Sequence, residues 1–177
     1  MKKNYSLLIL IVFTTTFAFG QKKEKKNPDT YIFKETLLQS LVENDEAIFL
    51  TLAPARNDID TAIKYFDEPK QISSKGADSL FSVLQEKAGD NFKTLQKFGT
   101  VNNIDWTMIS EDSLVAEPKK KLENEFPSLR FKYYFTHLGE HYYFSATRLL
   151  LINNHWVLTN GVRLKKVITT SEEQKKD

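Results

Sequence analysis

The apolar residues of this chain repeat at one period up to Gly99 and at another beyond it. That change confines the fold more than any other feature. Before Gly99 they recur three and four residues apart, the spacing that lines one face of a helix. After it they alternate, as on a strand with one buried face. Asp29-Thr30 offers helix caps ahead of Tyr31, Phe33, Leu37, Leu38, Leu41 and Val42, and Asn44-Asp45 interrupts the pattern. Asp45 then caps a short helix holding Ala47 to Leu52, which Pro54 ends. Asn57 is positioned to cap a third helix with Ile59, Ala62, Ile63 and Phe66, stopped at Glu68-Pro69. Ser73 or Ser74 opens the longest run, Ala77 to Phe98, with Gly89 as a bend and Gly99 as the stop.

Two short strands, Val101–Ser110 and Ser113–Glu117, follow in this reading, and Lys119–Lys121 with Glu123–Pro127 forms a polar connection. Arg130–Leu138, His141–Ile152 and His155–Val167 then read as strands, joined by turns at Gly139-Glu140 and Asn153-Asn154. Helices first and an antiparallel meander afterwards is the pattern of an α+β fold. The expectation is one domain over 29–167: N-terminal helices packed on a curved antiparallel sheet that closes with a three-strand meander. No internal repeat divides it.

Met1–Gly20 is excluded from the fold on this reading. Lys2-Lys3, the apolar run Leu7–Phe13, and the small residues Ala18 and Gly20 have the three parts of a secretory signal peptide, with the cut between Gly20 and Gln21. The run is shorter than the roughly 20 apolar residues of a membrane-spanning helix. The chain has no cysteine, so neither a lipid on a thiol at the cut nor a disulfide is available. The expectation is an exported protein, periplasmic or secreted, released rather than lipid-anchored. The polar stretch 21–28 reads as a linker and 168–177 as a tail.

Charge removes one class of partner. The full chain has 25 Lys and Arg against 23 Asp and Glu, and the two signal lysines account for that excess. Over Asn27–Leu164 there are 15 basic and 19 acidic residues, a net of −4. A domain that grips nucleic-acid phosphates has the opposite balance. The lysines at 22, 23, 25 and 26 read as a solvated leader able to touch an anionic membrane surface.

Three short motifs resemble those of the nuclear transport factor 2-like (cystatin-like) superfamily. Leu41-Val42-Glu43-Asn44-Asp45-Glu46-Ala47 is similar to the break between the first two helices of such domains. Phe98-Gly99-Thr100-Val101-Asn102-Asn103-Ile104 is similar to the helix-to-strand passage of exported bacterial members, and Asn153-Asn154-His155-Trp156-Val157-Leu158 to the turn and tryptophan opening their last strand. The resemblance covers roughly 30–164 and implies a cone of curved sheet closed by helices. The superfamily includes enzymes, small-ligand binders and modules without chemistry, so the resemblance alone does not select a function. The helix before Pro69 departs from the simplest family pattern.

If both turns contain two residues, strand alternation assigns the side chains to faces. One face carries Phe131, Tyr133, Phe135, His137, Tyr142, Phe144, Ala146 and Arg148 and is expected to be the concave side under the helices. There Tyr133, Phe135, Tyr142, Phe144 and Arg148 are the candidate ligand-binding residues, because a buried guanidinium needs an anion or a carboxylate such as Glu35 or Asp78. The other face carries Leu149, Leu151, Trp156 and Leu158, an apolar patch expected to meet a second copy or an envelope protein. A β-bulge in either hairpin would exchange these faces.

Few residues point to catalysis. His137 and His141 have zinc-like spacing, yet they straddle a turn and fall on opposite faces, as solvated residues. His155, at a turn edge, becomes a general base only if a carboxylate orients it in a pocket. Asp58, Asp60, Asp45 and Glu46 sit at helix starts, where acids cap. No nucleophile motif, phosphate loop, cofactor motif or metal-binding set stands out. The reading therefore favours a non-catalytic module that binds a small apolar or anionic ligand or a protein partner. A small cofactor-independent isomerase, dehydratase or hydrolase using the cone is the alternative. A cone filled by Phe81, Leu84, Phe92, Phe131 and Phe144 would leave interaction as the remaining function.

Overall fold

A computed structural model of the chain describes residues 28–66, 74–119 and 125–167. The segment expected to be a signal peptide (1–20), most of the expected linker, Glu68-Pro69 and the expected tail (168–177) lie outside them. Four helices precede the sheet: α1 (Pro28–Val42), α2 (Glu46–Leu50), α3 (Arg56–Tyr65) and α4 (Ser74–Val101). The strands are β1 (Ser110–Pro118), β2 (Ser128–His137), β3 (Glu140–Ile152), β4 (His155–Leu158) and β5 (Arg163–Lys166). All pair antiparallel in the order β1-β2-β3-β4, with β5 also on β3. The result is α+β: helices packed on a curved, open antiparallel sheet.

Local chemistry sets the helix ends. The Asp45 carboxylate accepts from the Ala47 and Ile48 amides and starts α2 as expected. In α3 the cap is Ala55 rather than Asn57, and Asp58 supplies the carboxylate from inside the first turn, accepting from the Ala55 amide at 2.8 Å. Neither Gly89 nor Gly99 ends α4. A Cβ at Gly99 would lie 2.4 Å from the Trp106 ring, so this glycine serves close packing. The strand expected over Val101–Ser110 is instead the end of α4, a turn and a 3₁₀ turn at Trp106–Met108. His137, expected to be solvated, is 4% exposed, and its Nε2 accepts from the Asp105 amide next to that 3₁₀ turn.

The β2–β3 hairpin turns at Leu138-Gly139, one residue earlier than expected, with φ of 49° and 82°. The pairing of Tyr133 with Phe144 and Phe135 with Tyr142 follows. Phe131, Tyr133, Phe135, Tyr142, Phe144 and Ala146 therefore share the inner face, as expected, and belong to the main core with Phe33, Phe49, Phe92 and Leu95.

Beyond Ala146 the faces exchange. Phe131 pairs with Ala146 but Leu129 with Leu149, so Thr147 and Arg148 stand opposite the single residue Arg130. This bulge inserts one residue and reverses the alternation downstream. Leu149 and Leu158 consequently pair inside the main core, with Leu151 and Trp156 half-buried on the same side. The patch assigned to the outer face is thus on the core side. Leu150, Ile152 and Val157 turn the other way into a second cluster with Phe126 and Ala62. The last expected strand also breaks after Leu158 and resumes as β5, where Leu164 is buried and Arg163 exposed.

Leu149→Ala distinguishes the two registers. With Leu149 at 0% exposure, the substitution should cost about 2–5 kcal/mol in urea unfolding. A loss below about 0.5 kcal/mol would place the side chain on the surface.

Candidate functional site

The inner face is occupied by its own side chains. Phe135 stacks on Tyr142 at 5.5 Å and on Phe144 at 5.3 Å, and Trp106 stacks on Phe144 at 5.9 Å. Phe33 meets Phe131 edge-on at 5.0 Å. Offset and edge-on rings at these separations add to the stabilisation from burial. The candidate ligand-binding residues Tyr133, Phe135, Tyr142 and Phe144 are thus packed together as core. Phe92, Phe131 and Phe144 fill the concavity, while Phe81 and Leu84 lie outside the buried cluster.

Arg148, the fifth candidate, is not with them. The bulge places it beside Glu125, with Nη2 3.4 Å from the carboxylate and both side chains partly exposed. The expected ion-pair acids are engaged elsewhere, Glu35 with Lys34 and Asp78 with Arg56. Arg163 points outward and is exposed.

Two polar clusters emerge that sequence reasoning did not join. In the first, the Lys34 ammonium is 2% exposed and pairs with Glu111 at 2.6 Å and Glu35 at 2.8 Å. It also lies 4.0 Å from the Tyr31 ring centre. Burial alone would lower its pKa, but the hydrogen bonds and charges of the two carboxylates hold it above the ordinary lysine range. Lys34 in turn holds Glu35 below its ordinary range. Burial, with Glu111 nearby, pushes the Tyr133 phenol up to about 12. An ammonium kept charged in this way is neither a nucleophile nor a base. Lys34 and Glu111 are 77 residues apart, and no local signal marks the pair.

The second cluster supplies the carboxylate, though not the pocket, that the general-base reading of His155 requires. Its Nε2 lies 3.2 Å from the carboxylate of Asp58, which is 0% exposed. Asn153 donates to the same carboxylate at 2.7 Å, and the Ala55 amide does so at 2.8 Å. His155 therefore has an orienting acid, on an exposed ring rather than in a pocket. Its Nδ1 faces the Asn153 carbonyl at 3.3 Å, so both ring nitrogens are turned toward acceptors. The cluster fastens α3 to the β3–β4 turn.

A cavity of about 300 Å³ lies between α4 and the chain after β4, with Leu84, Lys87, Asn91 and Leu158 in its wall. The Asn91 amide fixes that wall by bonding both backbone groups of Val162, at 2.7 and 2.8 Å. His137 faces inward and His141 outward, and among the described residues no group of three or more acids and histidines could hold a metal ion.

The outer face of β2, β3 and β5 has a different character. Lys132, Ser145 and Arg163 share one row across it, and Tyr134, Tyr143 and Lys165 the next. Tyr134 and Tyr143 lie side by side at 5.4 Å, and the Lys132 ammonium is 5.8 Å from the Tyr143 ring centre. Among the described residues no helix is long and apolar enough to cross a membrane. No family model, curated protein or solved structure matches this chain.

The Lys34 cluster contributes to stability at both ends of the pH range. Lys34 and Tyr133 hold their protons more tightly folded than unfolded, so stability is lost as pH rises above about 10. Glu35, lowered in the fold, contributes above about pH 4.3 and is lost below it. Urea midpoints measured against pH should fall at both ends, and Lys34→Met should flatten the acid limb. An unchanged acid limb would show that Lys34 does not hold Glu35.

Proposed function

We propose that this is an exported, non-catalytic interaction module resembling nuclear transport factor 2-like domains, released after cleavage between Gly20 and Gln21. It works by contact with a larger acidic partner through the outer face of its sheet. The observation that carries this reading is the aromatic packing of the concavity, where the rings of Phe131, Phe135 and Phe144 are each 0% exposed. A small-ligand binder or an enzyme of this shape needs that space for its ligand. The outer face supplies the contact instead. An isologous dimer through it would set Lys132, Arg163 and Lys165 against their own copies, which like-charge repulsion disfavours. The apolar patch that suggested a dimer, with Leu149 and Leu158, lies on the core side.

Two measurements on the mature chain test the reading. Native mass spectrometry after purification from its own envelope should give the mass of the polypeptide alone, and a stoichiometric small molecule would overturn it. The mature chain balances 23 basic with 23 acidic residues, so retention on a sulfonate resin at pH 7 reports clustering of charge rather than its sum. Lys132→Gln with Lys165→Gln should elute at clearly lower salt than the parent. Unchanged elution would remove the outer face as the contact surface.

A further inference from the structure

The charges of the outer face are segregated. Arg130, Lys132, Arg163 and Lys165 are exposed, and among the described residues none of them forms an ion pair. Strand spacing puts the β2 and β5 cations about 10 Å apart across the sheet, and neighbours along a strand about 7 Å apart. Among the described strand residues the acids on this face are Asp112 and Glu117, both on β1, while Glu125, ahead of β2, is beside Arg148. Asp112 is engaged by Thr136 and His141, and Glu117 is opposite Arg130. The β2–β3–β5 side therefore presents cations around the Tyr134–Tyr143 pair, on a domain whose 29–167 stretch has 17 basic and 19 acidic residues, a net charge of −2.

Resting on the proposed interaction role, we infer that this face docks on the surface of a bilayer rich in anionic phospholipid. Three observations favour a lipid surface. The cations lie on a broad open sheet face, so several headgroups can be met at once. The paired tyrosines have the apolar ring and polar tip that sit at headgroup level. The sequence adds four lysines at 22, 23, 25 and 26, a second basic segment of the kind that strengthens weak peripheral binding to anionic membranes. In this inference charge and the two rings supply the contact. Each basic residue near an anionic surface adds a modest increment that salt screens.

The test is co-sedimentation of the full mature chain with vesicles of phosphatidylcholine, with and without a quarter of phosphatidylglycerol. Binding is expected only to the anionic vesicles and should weaken as salt rises. Lys132→Gln with Lys165→Gln should lower the apparent affinity about tenfold or more, with an unchanged urea midpoint. Arg130→Gln with Arg163→Gln is a second, independent pair with the same expectation. Glutamine at the four leader lysines should leave a measurable dependence on the face. Equal binding to neutral vesicles, no binding to either, or loss only with the leader variant would each overturn the inference. If the face variants alter elution from the sulfonate resin while vesicles are ignored, the lipid inference fails and the interaction reading stands. If the resin elution is also unchanged, both fail.

Discussion

The packing of aromatic rings on the inner face of β2 and β3 is the interaction on which the rest depends. Without disulfides, the fold is held by what its side chains bury, and here that is a sheet of stacked rings closed by Phe33, Phe92 and Trp106. Alternation along two well-paired strands puts five aromatic residues on one side. Once they meet the helices, the concavity is occupied by the protein itself. Interior space and rigidity compete in a domain of this size, and this sequence has used the space for rigidity.

The ring packing also explains how charge is distributed. Alternation that sends Phe131, Tyr133 and Phe135 inward sends Lys132 and Tyr134 outward, and Tyr143 and Ser145 follow on β3. Lys34 and Asp58, both buried, are satisfied on the spot: Lys34 by two carboxylates, Asp58 by an amide, an asparagine and a histidine. Those clusters fix elements in place, Lys34 tying α1 to β1 and Asp58 tying α3 to the β3–β4 turn. Among the described residues the outer cations of β2 and β5 form no ion pair, and for that reason the outer face is the proposed point of contact.

Features that depend on a few neighbouring residues were legible in the sequence. The Asp45 cap, the Asn153-Asn154 turn and the inner face through Ala146 all follow from local spacing. Features that depend on tertiary contact were not. Gly99 resembles a helix stop, but it is required by the Trp106 ring, so α4 runs on and displaces the expected strand. The Thr147–Arg148 bulge inserts one residue without a turn signal, and that single residue moves Leu149 and Leu158 into the core and Arg148 out of it. Asp58 and His155 are 97 residues apart and meet only because α3 folds over the β3–β4 turn. For the candidate site, the individual residue types were visible and their grouping was not.

Rings packed across the concavity leave the outer sheet face as the proposed contact surface. The decisive measurement is amide chemical-shift mapping, with small bicelles doped with phosphatidylglycerol added to the isotopically labelled chain from residue 21 onward. Shifts are expected to concentrate at Arg130–Tyr134, Tyr143–Ser145 and Arg163–Lys165 and to leave α4 unmoved. Shifts centred instead on the inner-face aromatics, or on Leu84–Asn91 beside the cavity, would contradict that proposal.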